Sequence, residues 1–504
     1  MLFNSYLYIF FFLPLVVLGF FSASRFAGQT TAICWLILAS LFFYSWWNPA
    51  YVLLLGFSVL FNYRCGRWLI NATDSSHRIH ILVFGITANL ALLGYYKYLG
   101  FFAGIAESLM GYSLQLGDIV LPLAISFFTF QQIAYLVDAY KGEEISDGFL
   151  RYCLFITFFP QLIAGPIVHH KEMMPQFRDR ATFRFKPLNL SLGSAIFTVG
   201  LFKKVVLADS LAVYVDPAFS TAATGGSPGF YESWLATSAF SLQVYFDFSG
   251  YSDMAIGAAL IMGIQLPVNF FSPYKATSIT EAWRRWHMTL TRFVREYIYM
   301  PISLRLARLA LRWGRSRWLL LLASSIVPVV IAFVLVGLWH GAGWNFVLFG
   351  LFHGSLLALH AAWRELKRIT GFGFDIPSWV ALLLTTFSWL VGIVMFRAVD
   401  VAAALKIYSG MFSVSTSMGV FSDNPLPALV VLSIYVLVFA LPNTEQLFNR
   451  YRPGFSDKNL EASRCRKGAL VWSEKTSWAI FMGILFSISV VMMTREVVFI
   501  YFQF

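Results

Sequence analysis

The chain has 504 residues, of which 58% are hydrophobic, 18% are aromatic and only 12% are charged. A soluble domain carries about 25% charged residues, roughly twice this share. The 52 Phe and 16 Trp side chains could not all be hidden in a water-soluble fold of this length. The composition excludes an ordinary soluble enzyme and a disordered chain, and it predicts a polytopic membrane protein.

The chain has a positive net charge, and the positions of its basic residues indicate what this charge is for. The chain has 37 Lys and Arg against 25 Asp and Glu, a net charge of +12. No polar domain that could bind nucleic acid accompanies this charge. Cytoplasmic membrane loops collect Lys and Arg, so the basic segments 168–186, 275–317, 364–368 and 443–477 are predicted to be cytoplasmic.

Apolar stretches that can cross a bilayer need roughly 17–25 residues. The candidates lie at 6–22, 31–47, 81–104, 119–140, 188–207, 233–264, 318–339, 342–363, 377–396, 426–441 and 478–494. We therefore expect an all-α integral membrane protein with about eleven transmembrane helices. No internal repeat or soluble segment interrupts them, so residues 1–504 are predicted to form a single transmembrane domain.

Several features qualify this count. Shorter apolar pieces at 50–61 and 149–167 are predicted half-spans, and Pro49 and Gly165-Pro166 mark re-entrant or interfacial breaks. No basic region precedes Tyr6–Phe21, which indicates a retained first helix rather than a signal peptide. The four cysteines lack metal-binding spacing, and we expect no disulfide framework, no metal site and no bound cofactor.

Histidine is scarce, with eight in the chain, so each placement is informative. His169 and His170 follow the Gly165-Pro166 break at the start of a polar segment. We expect both rings to be solvated or at the membrane interface rather than catalytic.

Two carboxylates stand in the apolar segment 240–270. Asp247 and Asp253 are six residues apart and do not share a helical face, which does not favour an acid–base pair. Ser249 lies four residues before Asp253 and could bond to it. Asp247, Asp253 and Asn269 are predicted to be structural or tunnel-lining polar groups, although carboxylates within a membrane also suit a transporter.

The segment 281–301 has the pattern of one amphipathic helix at a membrane surface. Its apolar stripe holds Trp283, Trp286, Leu290, Phe293, Val294 and Tyr297, and its opposite side holds Arg284, Arg285, Arg292 and Arg295. The tryptophans are predicted to lie at the interface. The arginines would contact either anionic lipid headgroups or a phosphate-rich ligand, and in the second case His287, at the edge of the stripe, points into the protein.

His340 lies at the junction of two apolar runs and is flanked by Gly337, Gly341 and Gly343. An ionisable residue inside a membrane segment indicates a functional site, because its burial is costly. A neutral histidine can act as a general base. The alternative is a packed histidine bonded to a nearby carbonyl, and packing or cavity lining is the expected role of His353 further along the chain.

Five stretches together carry a family resemblance: MLFNSYLYIFFFLPL, FPQLIAGPIVHHKEMMPQF, SGYSDMAIG, WRRWHMTLTRFVREYIYMP and GLWHGAGWNF. They resemble the membrane-bound O-acyltransferase (MBOAT) superfamily and, within it, the bacterial alginate O-acetyltransferase branch. The likeness runs from residue 1 to about 400, with its core signature region at about 120–400, and continues more weakly to the end.

The resemblance implies a ring of transmembrane helices around a central tunnel, in a bacterial inner (cytoplasmic) membrane. It implies that His340 is the catalytic base and that His287 occupies the second signature position. The acetyl donor would be cytoplasmic, with acetyl-CoA as the usual candidate, and Arg284 and Arg285 with Trp283 and Trp286 would bind it.

On the outer side, the resemblance implies acetylation of a polysaccharide such as alginate, through a periplasmic SGNH-type acetyltransferase and the associated acetylation and secretion machinery. Cellulose, peptidoglycan or teichoic acid are alternative acceptors within the same enzyme class. A transporter of an acyl donor or sugar, with no chemistry of its own, is the alternative from another class.

Overall fold

The computed structural model describes residues 1–493, 499 and 500, except for 113, 115, 116, 118, 144–147, 315, 372–375, 414–423 and 456–469. Over this part of the chain the regular elements are helices, and one isolated bridge pairs Pro267 with Phe455. The all-α fold is confirmed. Part of the basic segment 443–477 lies outside the described residues.

The described residues of the N-terminal third are mostly helical. The helices are α1 (Leu13–Ala27), α2 (Gln29–Ser45), α3 (Ala50–Asn71), α4 (Ser75–Leu93), α5 (Leu99–Met110), α6 (Ile125–Lys141), α7 (Phe149–Thr157), α8 (Phe159–Leu162) and α9 (His170–Arg178). The predicted break at Pro49 is confirmed, because α2 ends before it and α3 begins directly after it. Gly165-Pro166 likewise lies in a non-helical stretch between α8 and α9.

The middle and C-terminal parts contain the longest helices. They are α10 (Pro187–Phe202), α11 (Asp209–Ala223), α12 (Phe230–Ile261), α13 (Ile279–Arg285), α14 (Met288–Val294), α15 (Met300–Trp313), α16 (Arg317–Leu321), α17 (Val327–His340), α18 (Trp344–Thr370), α19 (Ser378–Arg397), α20 (Val401–Phe412), α21 (Leu426–Ala440), α22 (Thr444–Leu447) and α23 (Thr476–Met492). Short π-helical turns continue or join several of them at Tyr8–Phe12, Gly94–Tyr98, Lys203–Ala208, Arg295–Tyr299 and Leu322–Ile326.

In the described part of the chain, six helical stretches are long and apolar enough to cross a membrane. They are Tyr8–Ala27, Ser75–Met110, Pro187–Ala223, Arg317–His340, Trp344–Thr370 and Ser378–Arg397. Shorter apolar helices are Gln29–Ser45, Val401–Phe412, Leu426–Ala440 and Thr476–Met492. The protein is therefore a multi-pass membrane protein that is embedded in lipid.

The apolar piece at 50–61, predicted to be a half-span, belongs to the longer helix α3. The helix continues to Asn71, through polar residues that ended the apolar run in the sequence. One of these, Asn62, is fully buried and donates to the side-chain oxygen of Asn89 in α4 at 3.1 Å. Polar side chains that bond between helices are stable within a membrane bundle, and here they extend the helix beyond its apolar part.

Helix α12 is the central element and is unbroken over 32 residues. A helix with apolar residues on all sides is typical of a buried position, and nearly all of α12 is enclosed. Its contact with α10 depends on glycines: a Cβ added at Gly200 would lie 2.6 Å from the carbonyl oxygen of Gly250. Small residues let membrane helices approach this closely. The closely packed pair of α10 and α12 lies beside the candidate site.

Candidate active site

His340 is the last residue of α17, at the turn of a hairpin that α17 forms with α18. The two helices of the hairpin pack closely. A Cβ added at Gly337 would collide with the carbonyl oxygen of Phe346, and one added at Gly341 would collide with the Phe346 ring. These glycines therefore admit the neighbouring helix. The turn places the imidazole at 7% exposure, with the Phe396 ring 5.1 Å away.

The end of α17 is held by side chains from a distant segment. Tyr98 donates to the carbonyl of Leu338 at 2.9 Å, and the Lys97 ammonium donates to the carbonyls of Trp339 and His340. The final carbonyls of a helix lack partners within that helix. No local sequence feature indicates this contact, since Lys97 is an isolated cation among tyrosines.

The prediction of one amphipathic helix over 281–301 is wrong. Helix α13 ends at Arg285 and α14 begins at Met288, and His287 between them has a left-handed backbone with φ of 42°. A non-glycine residue in this conformation is strained and is held by its surroundings. The break turns His287 inward, to 1% exposure, as expected for the inward-pointing alternative.

His287 is fixed by polar and aromatic neighbours. Its Nδ1 lies 2.9 Å from the side-chain oxygen of Asn269, and its ring meets that of Phe248 edge-on at 4.7 Å. On another side its ring centroid is 6.1 Å from Trp339, the residue next to His340. The structure therefore brings His287, Asn269 and His340 into one buried region.

A cavity of about 780 Å³ opens beside the break at His287. Its lining includes the exposed residues Arg284 and Arg295 and the buried apolar residues Phe333 and Val336 of α17. Val336 precedes His340 by one helical turn, about 5.4 Å. The cavity thus leads from a segment predicted to be cytoplasmic to within a turn of His340.

The cavity arginines are not equivalent. Arg285 forms an ion pair with Glu281, and Arg292 donates to both carboxylate oxygens of Glu172 in α9, one of them at 2.9 Å. In the described part of the chain neither Arg284 nor Arg295 forms an ion pair with a carboxylate. These two remain available to an anionic ligand.

The expected interfacial position of Trp283 and Trp286 is wrong. Both are buried, at 5% and 7% exposure, because the break at His287 folds α13 onto α18 and α19. Trp283 lines the cavity and donates from Nε1 to Nδ1 of His353 at 3.4 Å, whereas the Trp286 ring lies 4.9 Å from that of Trp389. His353 is thus a packed histidine that accepts a hydrogen bond.

Asp247 and Asp253 are held in buried ion pairs. Asp247 lies 2.7 Å from the ammonium of Lys204, and Asp253 lies 2.6 Å from that of Lys203. The bond expected between Ser249 and Asp253 does not form, since Asp253 instead accepts from Lys203 and from Thr444 at 2.6 Å. The two lysines lie in the π-helical turn that follows α10. Residue spacing within the segment 240–270 could not reveal these partners.

The expectation that His169 and His170 are solvated is wrong. They are 1% and 5% exposed, because the start of α9 packs against α7. The His169 ring stacks on Tyr297 at 5.8 Å, and Tyr297 donates to Asp138 at 2.8 Å. The ring of His170 lies 5.6 Å from that of Phe155.

Comparison with known proteins decides the family. A sequence model of the MBOAT, membrane-bound O-acyltransferase family, matches residues 146–404, which include both His287 and His340. A peptidoglycan O-acetyltransferase of Helicobacter pylori is 37% identical over 100% of this chain and 98% of its own length. The chain belongs to the membrane-bound O-acyltransferase family.

Further relatives agree with this assignment. A probable alginate O-acetylase of Pseudomonas putida is 31% identical over 100% of both chains. A teichoic acid D-alanyltransferase of Streptococcus thermophilus is 29% identical over 49% of this chain and 58% of its own length. The protein is therefore an O-acyltransferase, and the resemblance of its motifs to the alginate O-acetylating branch is confirmed.

Proposed function

We propose that this O-acyltransferase moves acetyl groups from acetyl-CoA in the cytoplasm to a polysaccharide outside a bacterial cytoplasmic membrane. The main support for the proposal is the cavity, which extends from Arg284 and Arg295 to Val336, one helical turn before His340 in α17. Arginines bind phosphates through charge-assisted hydrogen bonds. Phe333 and Val336 form an apolar wall of the cavity, which suits the less polar arm of acetyl-CoA that ends in the acetyl thioester.

In the proposed reaction His340 acts as the general base. It takes the proton of an acceptor hydroxyl as that oxygen attacks the thioester carbonyl carbon. The carbon–sulfur bond then breaks, and the departing thiolate takes the proton from the imidazolium. Burial of the site keeps bulk water from hydrolysing the thioester.

The proposed final acceptor is a polysaccharide, and the relatives' names give peptidoglycan and alginate as the two polymers to test. The relative named for peptidoglycan shares more identity over its full length, 37% against 31%. We propose that a separate extracytoplasmic SGNH-type acetyltransferase receives the acetyl group first and works with polysaccharide acetylation and secretion machinery.

The test compares cells that lack the protein with cells that carry the wild type or His340→Ala. Peptidoglycan fragments and secreted polysaccharide are analysed by mass spectrometry for O-acetyl esters. We expect one polymer to lose its esters without the protein, to regain them with the wild type and not with His340→Ala. Unchanged esters in every polymer, or full recovery with His340→Ala, would contradict the proposal.

A further inference from the structure

The side chain of Asn269 lies at the centre of a buried hydrogen-bond cluster that includes His287. Asn269 is 1% exposed, and its Oδ1 lies near three groups: the backbone N–H of Thr289 at 3.4 Å, the hydroxyl of Thr289 at 2.9 Å and Nδ1 of His287 at 2.9 Å. A backbone N–H can only donate. The atom at the centre of this cluster must therefore be the amide oxygen, not the amide nitrogen.

The neighbouring bonds agree with this orientation. The Thr289 hydroxyl accepts from the backbone N–H of Ile167 at 3.0 Å, so its single hydrogen is free to point to Asn269. The amide nitrogen of Asn269 donates to the hydroxyl of Ser252 at 3.2 Å. The backbone carbonyl of Asn269 accepts from the N–H of Met288 at 2.9 Å, which ties the two segments together.

An amide oxygen has no hydrogen to give, so Nδ1 of His287 must be the donor in its bond to Asn269. His287 lies in the break between α13 and α14, outside the spanning helices, and burial lowers the pKa of its ring below the usual range. A neutral imidazole carries one hydrogen. With that hydrogen on Nδ1, the lone pair resides on Nε2.

We propose that Asn269 is a positioning residue that holds His287 as the Nδ1–H tautomer, so that Nε2 serves the transfer site as a hydrogen-bond acceptor. In this form the ring orients a group that carries a hydrogen, such as the acceptor hydroxyl. It does not donate to the oxyanion of the tetrahedral intermediate. An acceptor bonded to Nδ1 controls histidine in this way in other acyl-transfer sites.

The direct test is nitrogen NMR of the full-length protein, labelled with ¹⁵N-histidine and placed in lipid bilayers. His287→Asn identifies the signals of this ring by their loss, and asparagine tolerates the left-handed backbone. We expect a protonated Nδ1 and an unprotonated Nε2 in the wild type, and loss of this pattern in Asn269→Leu. An Nε2–H tautomer or an imidazolium in the wild type would overturn the proposal.

The kinetic arm follows acetyl transfer from acetyl-CoA. Asn269→Leu should lower kcat about 10- to 100-fold with little change in the KM for acetyl-CoA. Asn269→Asp should retain most of the rate, because a carboxylate accepts from the same three donors. Asn62→Leu removes another buried asparagine and should leave kcat unchanged. Equal kcat values for the Leu and Asp variants at position 269 would overturn the positioning role.

The role in transfer rests on the proposed function, but the tautomer does not. The NMR measurement needs no substrate. If the tautomer is as expected and acetyl-CoA is not used, the proposed function fails and the assignment of Nδ1–H stands. If acetyl-CoA is used and the tautomer is the other one, only this inference fails.

Discussion

Lys97 donates to the backbone carbonyl of His340 at 3.3 Å, although 243 positions separate the two residues. The same ammonium donates to the carbonyl of Trp339. A cation at the C-terminal end of a helix satisfies carbonyls that lack partners and is favoured by the helix dipole. The position of the proposed base therefore depends on a residue from the N-terminal part of the chain.

Replacement of Lys97 by Met should lower kcat for acetyl transfer about tenfold or more and leave the KM for acetyl-CoA nearly unchanged. Removal of one hydrogen-bonding partner leaves buried carbonyls unsatisfied, at a cost of about 1–3 kcal/mol. The end of α17 would then hold His340 less firmly. Initial rates in membrane vesicles, normalised to folded protein, give both constants.

Tyr98→Phe is the matched control for Lys97. It removes the bond to the carbonyl of Leu338 from the same π-helical turn but leaves the ammonium in place. We expect a smaller loss of kcat than with Lys97→Met. Equal losses in the two variants would mean that Lys97 contributes only a helix cap and has no particular effect on His340.

Replacement of Arg284 by Gln should raise the KM for acetyl-CoA about tenfold with little loss of kcat, because one charge-assisted hydrogen bond to a phosphate is worth about 1.5–3 kcal/mol. Arg285→Gln should have a smaller effect, since Glu281 already holds its guanidinium. Arg305→Gln in α15, which does not line the cavity, is the control. An unchanged KM in Arg284→Gln would contradict the role of the cavity in donor binding.

Replacement of Lys204 by Met should lower the free energy of unfolding by about 3–5 kcal/mol, because it leaves the buried carboxylate of Asp247 without its cation. The Lys204 and Asp247 side chains are 0% and 1% exposed. The double variant Lys204→Met with Asp247→Leu should recover much of the loss. Unfolding in detergent gives the comparison, and a double variant no more stable than Lys204→Met would contradict this account.

The sequence predicted the helical membrane fold, and its motifs identified His340 and His287 as candidate site residues. It succeeded there because apolar span length and the signature stretches are local in the chain. It failed where backbone direction changes: the break at His287 buries Trp283, which a continuous amphipathic helix would have placed at the membrane surface.

The partners of polar residues were also beyond the sequence. Asp253 bonds to Lys203 and Thr444, which are 50 and 191 positions away. Lys97 has no motif that connects it to α17. Such contacts depend on how distant helices pack against each other, and a periodic pattern within one helix carries no information about them.

The most direct test of the central claim uses inverted membrane vesicles that contain the wild type or His340→Ala. Acetyl-CoA with a labelled acetyl group is supplied to the former cytoplasmic face, and the lumen holds the SGNH-type partner and a candidate polysaccharide. The account predicts label on the luminal acceptor with the wild type and its loss with His340→Ala. Equal label in both vesicles would contradict the role of His340 as the base and would favour a transporter.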